Sequence, residues 1–131
     1  MQILVVDDNK SDAFMLRRLL TYLGFQDITE ASNGREALRY LQMKHFDLMI
    51  TDWRMARMDG VALVRKVRAS EQQGRPRTPI IMLTAHDLRD NLTTALSAGV
   101  DDYIIKPPTL DILKSKIERV LGTGTRSYHR R

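Results

Sequence analysis

Five short apolar runs alternate along this chain with segments whose apolar residues recur every three or four positions. The runs are rich in valine, isoleucine and leucine, the second of them being the weakest, and they cover residues 3–6, 28–31, 47–51, 79–83 and 103–105. Runs that are apolar throughout are typical of parallel strands buried on both faces, whereas half-exposed strands alternate apolar and polar residues. The pattern therefore predicts a parallel sheet covered on both sides.

The intervening segments predict five helices, because a spacing of three and four places apolar side chains on one helix face. Gly24, Gly99 and Gly122 follow the first, fourth and fifth segments, where glycine commonly ends a helix. Asp59 precedes the third segment and is its predicted N-cap. The apolar stripes are Ala13, Leu16, Leu20 and Leu23; Ala37, Leu38 and Leu41; Val61, Val64 and Val67; Leu88, Leu92, Ala95 and Leu96; and Leu110, Leu113, Ile117 and Val120.

A strand followed by a helix, five times over, predicts an α/β fold of the doubly wound (βα)5 type. Parallel strands joined through helices take right-handed crossovers, which gives an open sheet. A closed eightfold barrel would need about twice the length. The 131 residues fit a single domain. We predict that it covers residues 1–122 and that residues 123–131 form a basic tail or the start of a linker.

The composition excludes several kinds of site. The chain has no cysteine, so disulfides, thiolate metal sites and cysteine nucleophiles are excluded. Its apolar runs fall far short of the roughly 20 residues that span a bilayer. The N-terminus does not have the pattern of a secretory signal. We therefore expect a cytoplasmic protein with no membrane partner.

The net charge of +5 raises the question of nucleic-acid binding. Arg126, Arg130 and Arg131 stand at the end of the chain, and the other basic residues are scattered along the predicted helices. Because no basic recognition helix can be identified, nucleic-acid binding by this chain alone is not predicted.

Polar side chains follow four of the five predicted strands. Asp7 and Asp8 come after the first strand, Asp52 after the third, Thr84 after the fourth and Lys106 after the fifth. In an open parallel sheet, ligands bind beyond the carboxyl ends of the strands, where the strand order reverses. If the first and third strands are neighbours there, the three aspartates converge in one cleft flanked by the threonine and the lysine.

Three carboxylates in one cleft repel one another unless a cation intervenes. Mg²⁺ prefers oxygen ligands and often bridges carboxylates to phosphate. Asp52 could then remain ionised and attack phosphorus to give an acyl phosphate. The Lys106 ammonium would neutralise charge on the transferred oxygens, and the Thr84 hydroxyl could donate to one of them. The pattern is typical of a phosphotransfer site.

These residues also resemble a known family, the receiver domains of response regulators, which includes the bacterial chemotaxis regulator. The resemblance covers about residues 2–121, nearly the whole chain. Each sequence fragment alone is weak evidence for the family, but the full set of fragments in this order and spacing is highly specific for it. It comprises Val5-Val6-Asp7-Asp8, Met49-Ile50-Thr51-Asp52-Trp53, Met58-Asp59-Gly60, Leu83-Thr84-Ala85, Ala98-Gly99-Val100-Asp101-Asp102-Tyr103 and Lys106-Pro107.

The resemblance implies a flavodoxin-like sheet with strand order 2-1-3-4-5. It implies Mg²⁺ held by Asp8, by Asp52, by the backbone carbonyl of Arg54 and, largely through water, by Asp7. It further implies that a histidine kinase or a histidine phosphotransfer protein donates phosphate to Asp52. In this family the receiver is a phosphoacceptor that assists its own phosphorylation and dephosphorylation, and is not a conventional enzyme.

The resemblance also implies a signalling switch. Phosphate draws Thr84 inward and Tyr103 follows, which remodels the face of the fourth helix, fifth strand and fifth helix for a downstream protein target. Arg54 and His86 occupy positions that tune the lifetime of the acyl phosphate. The Lys106-Pro107 peptide bond is expected to be cis.

Two features depart from the family pattern. Ala56 stands where proline is common, and Pro108 replaces a common aromatic or apolar residue. Neither position takes part in the predicted chemistry, but both affect the loops beside it.

Two other functions compete with this interpretation. A Mg²⁺-dependent phosphatase with an aspartyl nucleophile usually carries a second acid two residues later, and Arg54 stands at that position here. A receiver used only as a scaffold would not need all five of the site residues.

Partner docking is a further expectation. The first predicted helix offers Asp12, Met15 and Arg18 near the cleft, in the region where this family meets its phosphodonor. Phe14 either assists there or packs on the sheet.

Overall fold

The computed structural model describes residues 1–85 and 92–122. Within them five strands alternate with five helices, as the apolar runs predicted. The strands are β1 (Gln2–Val6), β2 (Asp27–Ala31), β3 (Leu48–Asp52), β4 (Ile80–Thr84) and β5 (Asp102–Ile105). The helices are α1 (Lys10–Tyr22), α2 (Gly34–Met43), α3 (Gly60–Glu71), α4 (Leu92–Ala98) and α5 (Leu110–Leu121).

The five strands form one parallel sheet in the order β2-β1-β3-β4-β5. This confirms the predicted doubly wound α/β fold and its 2-1-3-4-5 order. The chain first moves outward from β1 to β2 and then crosses back to β3 on the other side of β1. The carboxyl ends of β1 and β3 therefore border the crevice at which such sheets bind ligands.

The sheet separates two apolar cores, because successive strand residues point to opposite faces. Within β1, Ile3 and Val5 point to one face and Leu4 and Val6 to the other. The first core packs against α1 and α5 through Ala13, Leu16, Leu20, Leu113 and Ile117. The second packs against α2, α3 and α4 through Ala37, Val61, Leu63, Val64, Val67, Ala95 and Ala98.

Side-chain caps fix where the helices begin at this edge of the sheet. The Asp59 carboxylate accepts a hydrogen bond from the Ala62 amide at 2.8 Å, which confirms the predicted N-cap of α3. Asn9 caps α1 in the same way. At the far end of α1, Gly24 has a φ of +104°, a conformation that side chains disfavour.

The apolar stripe predicted for the fourth helix is only partly correct. Ala95 and Ala98 are buried, but Leu96 is 50% exposed. The two alanines, three residues apart, define the buried face of α4. Leu96 is one residue further along, and thus about 100° around the helix from Ala95. Leu88, the first member of the predicted stripe, lies outside the described residues.

Two other predictions fall on parts of the chain that the structure does not describe. They are the tail at residues 123–131 and the placement of His86. Within the described ranges, none of the helices combines the length and the apolar character that crossing a membrane requires.

Candidate functional site

Three carboxylates meet at the carboxyl ends of β1 and β3. Val6 pairs with Thr51 in the sheet register, so the next residues, Asp7 and Asp52, are neighbours across the two strands. One oxygen from each of Asp7, Asp8 and Asp52 lies within 4.8 Å of the other two. We call these three residues the acidic cluster. The parallel pairing of β1 with β3 thus brings together Asp7 and Asp52, which are 45 positions apart in the chain.

Backbone amides hold each carboxylate of the acidic cluster in place. The Asn9 amide donates to Asp7 Oδ1 at 2.9 Å. The Trp53 amide donates to Asp52 Oδ1 at 3.0 Å. The Ala56 amide, in the loop between β3 and α3, donates to Asp8 Oδ2 at 3.0 Å. Asp7 and Asp52 are therefore oriented by their own local backbone, whereas Asp8 is oriented by the distant loop after β3.

Lys106 extends from the end of β5 into this cluster. Its amide donates to the Thr84 carbonyl at 2.7 Å, which continues the sheet ladder past the strand end. Its Nζ lies 3.1 Å from Asp52 Oδ1 and 3.8 Å from Asp7 Oδ2. The same Nζ lies 3.1 Å from Asp12 Oδ2, on the first turn of α1. The Lys106-Pro107 bond that follows is cis, as the resemblance implied.

The electrostatics of the cluster follow from burial and crowding. Burial raises the pKa of Asp7 from 3.8 to about 6, and the nearby Asp52 charge adds to the rise. Burial also raises the pKa of Asp52, although the Lys106 ammonium opposes this. Burial by itself lowers the pKa of Lys106, but its hydrogen bonds to Asp52 and Asp12 prevail and leave it raised. The site therefore holds more negative charge than one lysine compensates.

This donor set suits a divalent cation with a preference for oxygen. The acidic cluster offers three carboxylates in reach of a common point, and Mg²⁺ favours such ligands. Asp8 and Arg54 line one shallow depression that opens to solvent beside the cluster. A backbone carbonyl from that loop is the type of neutral ligand that completes such a set. The raised pKa values of Asp7 and Asp52 also favour a cation, because it would relieve the repulsion that contributes to them.

The loop after β3 approaches Asp52 too closely for any side chain at position 60. A Cβ on Gly60 would lie 2.3 Å from the Asp52 carbonyl oxygen. The Gly60 amide instead donates to the Trp53 carbonyl at 2.7 Å, which closes the loop onto the strand end. Glycine therefore fits the last position of the Met58-Asp59-Gly60 turn because any side chain there would clash with the end of β3.

Thr84 and Tyr103 lie on the neighbouring strands β4 and β5. Thr84 is buried at the end of β4 and pairs with Ile105 in register. Tyr103, two residues earlier on β5, is half-buried, so it is not an ordinary core residue. The Lys116 Nζ lies 5.1 Å from the centroid of the Tyr103 ring, a cation–π contact between β5 and α5.

The sequence assigned Asp12 to partner docking and did not place it within reach of Lys106. The position is explained by the helix start. Asn9 Oδ1 accepts from the Asp12 amide at 2.9 Å, which sets Asp12 on the first turn of α1 above the cluster. Counting residues from the Asn9 cap could have predicted that Asp12 lies on the first turn of α1. Its contact with Lys106 could not be predicted in this way, because it depends on the conformation of a distant loop.

Comparisons with known proteins agree with this geometry. Residues 3–118 match the family described as response regulator receiver domain. The chain is 44% identical over 126 residues to a chemotaxis protein CheY homolog of Campylobacter jejuni, a match covering 95% of each chain. It is 42% identical over 120 residues to the chemotaxis protein CheY of Pseudomonas aeruginosa, covering 92% of this chain and 95% of that one.

Solved structures agree as well. One of them is the receiver domain of a Pseudomonas aeruginosa sensor histidine kinase, which has a magnesium ion coordinated in its active-site cleft. It is 32% identical to this chain with a TM-score of 0.81, and the match covers 93% of this chain and 98% of that one. The Vibrio cholerae chemotaxis protein CheY4 is 32% identical with a TM-score of 0.82, covering 91% and 97%. From its sheet order, its acidic cluster and its match over residues 3–118, the chain belongs to the receiver domains of response regulators in two-component signalling.

Proposed function

We propose that this chain accepts a phosphoryl group on Asp52 from a phosphohistidine of a histidine kinase or a histidine phosphotransfer protein. The observation that carries the proposal is the position of the Lys106 ammonium, 3.1 Å from Asp52 Oδ1 at the edge of the acidic cluster. A carboxylate that is buried, crowded by like charge and in contact with one ammonium group is suited to attack an electrophilic phosphorus.

Several of the chain's own residues take part in the proposed transfer. A bond forms between an Asp52 oxygen and phosphorus while the bond from phosphorus to the histidine nitrogen breaks, and the electron pair stays with that nitrogen. The Lys106 ammonium neutralises charge on the phosphoryl oxygens, and the Thr84 hydroxyl donates to one of them. Mg²⁺, when bound by the acidic cluster and the Arg54 carbonyl, would supply further neutralising charge.

The product stays on the protein, so the chain acts as a phosphoacceptor and not as a turnover enzyme. It also assists its own dephosphorylation, because the same groups can stabilise attack by water on the acyl phosphate. Arg54 is exposed and two residues from Asp52, where it can influence the approach of that water. We propose that Arg54 and His86 tune the phosphoryl lifetime. Replacing Arg54 with alanine and timing phosphate loss tests the part that concerns Arg54.

We further propose that phosphorylation changes the face formed by α4, β5 and α5. Thr84 moves toward the phosphoryl group, Tyr103 follows, and the population shifts between two states of this face. In support, each of the three elements carries one large apolar side chain that is about half-exposed, namely Leu96, Ile105 and Ile112. Such side chains suit a downstream protein target. We propose that this target is a protein in the cytoplasm; the Campylobacter and Pseudomonas relatives are named as chemotaxis proteins, which supports a role in signalling.

The phosphodonor is proposed to dock at α1. Phe14 and Met15 are 57% and 53% exposed, so Phe14 does not pack on the sheet. The Arg18 guanidinium lies over the Phe14 ring, 5.9 Å from its centroid. Replacing Arg18 with glutamate should slow transfer from a cognate kinase while leaving a small phosphodonor unaffected. Equal transfer rates from the kinase would exclude this docking surface.

Incubation with Mg²⁺ and acetyl phosphate, followed by intact mass measurement, separates the three candidate functions. A receiver gains the mass of one phosphoryl group, and the gain is absent in Asp52→Ala but retained in the control Asp111→Ala. Rapid release of phosphate over many turnovers would favour the phosphatase. The absence of any reaction would favour the scaffold.

A further inference from the structure

The ammonium group of Lys106 is divided between two carboxylates that lie on different elements. Its Nζ is 3.1 Å from Asp52 Oδ1 at the end of β3 and 3.1 Å from Asp12 Oδ2 on α1. Asp7 is more distant, at 3.8 Å. Among the described residues, these three are the acidic partners of Lys106. Asp12 and Asp52 therefore share the same ammonium at the same distance, since its three N–H groups can serve both carboxylates at once.

The two partners differ in their surroundings. The Asp52 side chain is 10% exposed, whereas that of Asp12 is 48% exposed. An ion pair open to water is weak and exchanges readily, so Asp12 cannot hold Lys106 permanently. It does, however, place a second negative charge in contact with the ammonium that also contacts Asp52.

We propose that Asp12 is a positioning residue that shares the Lys106 ammonium with Asp52, offsets part of its positive charge and thereby slows phosphoryl transfer to Asp52. This inference rests on the proposed function of Asp52. Asp12 acts through Lys106 and through its own charge, and it does not contact the reacting atoms. Its role is distinct from partner docking, because a small phosphodonor has no protein surface to dock.

Asp12 could instead serve only to stabilise the start of α1. Its amide bonds to the Asn9 side chain, and an acid on the first turn of a helix interacts favourably with the helix dipole. Asp111, on the first turn of α5, has the same kind of position and is exposed. Asp111→Asn thus removes the same charge from an equivalent helix position and serves as the matched control.

The test measures the rate at which acetyl phosphate, with saturating Mg²⁺, adds a phosphoryl group to the protein by intact mass. Asp12→Asn should accelerate phosphorylation about two- to fivefold, the range expected for an exposed ion pair, while Asp111→Asn leaves the rate near that of the wild type. Urea unfolding of both variants should show similar small losses of stability.

A double-mutant cycle then identifies the route. In a Lys106→Met background, adding Asp12→Asn should change the rate by less than half of its effect in the wild type, because the shared donor is gone. Equal rates for Asp12→Asn and Asp111→Asn, or an undiminished Asp12→Asn effect without Lys106, would overturn the inference alone. A wild-type protein that gains no phosphoryl group at all would overturn the proposed function and this inference with it.

Discussion

The Nζ of Lys106 lies 3.1 Å from Oδ1 of Asp52, although the two residues come from strands separated by β4. The contact is possible because Lys106 continues β5 past its end and its amide bonds to the Thr84 carbonyl. The lysine is thus anchored by its backbone while its side chain spans the end of the neighbouring strand.

Removing this ammonium should impair phosphoryl transfer more than folding. Lys106→Met is expected to slow phosphorylation by acetyl phosphate roughly 100-fold, the typical cost of removing one group that stabilises transferred charge. It should also raise the pKa of Asp52 further, since the Lys106 ammonium is what opposes the effect of burial. Lys66→Met, on the exposed face of α3, is the control for loss of a lysine. Matching rates in the two variants would remove Lys106 from the mechanism.

The crowded acidic cluster should cost stability at neutral pH when no divalent cation is present. The pKa of Asp7 is raised to about 6 in the folded protein from 3.8. Because the folded state binds this proton more tightly than the unfolded state, the penalty is absent below about pH 4 and complete above about pH 6. In EDTA, Asp7→Asn should therefore be more stable than the wild type at pH 8, by on the order of 2 kcal/mol, and the gain should vanish near pH 4.

The measurement for this prediction is urea unfolding at both pH values, with Asp27→Asn as the control. Asp27 is exposed at the start of β2, at the opposite end of the sheet. A stability difference between Asp7→Asn and the wild type that does not change with pH would contradict the assignment of the raised pKa to Asp7.

Mg²⁺ should bind at the acidic cluster and stabilise the fold. Trp53 is the single tryptophan and follows Asp52 directly, so its fluorescence should respond to a cation there. Asp8→Asn should weaken Mg²⁺ binding at least tenfold, roughly the effect of losing one charged ligand. The wild type should also unfold at a higher temperature in Mg²⁺ than in EDTA, because a ligand that binds only the folded state stabilises it. A fluorescence titration that is identical in Asp8→Asn and the wild type would place the cation elsewhere.

The loop that closes over Asp52 should not tolerate a side chain at position 60. A Cβ there would meet the Asp52 carbonyl oxygen at 2.3 Å, so Gly60→Ala must displace either the loop or the strand end. We expect a loss of about 2–3 kcal/mol in urea unfolding, as for other overpacked sites. Gly74→Ala is the comparison, since Gly74 has a φ of +108° but open space around it, and should lose only about 1 kcal/mol. Equal losses would mean that the clash is readily relieved.

Some features of the fold and of the candidate site follow from local patterns, and others do not. The alternation of apolar runs with helical stripes predicted every strand and helix. The position of Asp52 just after an apolar run was enough to place it at the sheet edge. The strand order came from the resemblance to a family, because periodicity does not determine which strands are neighbours.

Contacts between distant loops were beyond sequence reasoning. The Lys106 side chain reaches Asp12 across 94 positions of chain, and the Ala56 amide reaches Asp8 across 48. Each depends on the conformation of a loop, which no apolar periodicity encodes. The exposure of Leu96 was also unpredictable, because a helix as short as α4 is compatible with more than one apolar face.

The closed backbone around Asp52 has a further consequence. The Asp52 carbonyl oxygen accepts a hydrogen bond from the Thr51 hydroxyl at 3.0 Å and is covered by Gly60. The Trp53 amide donates to the Leu83 carbonyl of β4 at 2.9 Å. The main chain at this position therefore has almost no freedom to translate. The end of β3 therefore stays fixed. Any conformational response to a change at the Asp52 side chain must occur in the side chains and loops that can move relative to this strand end.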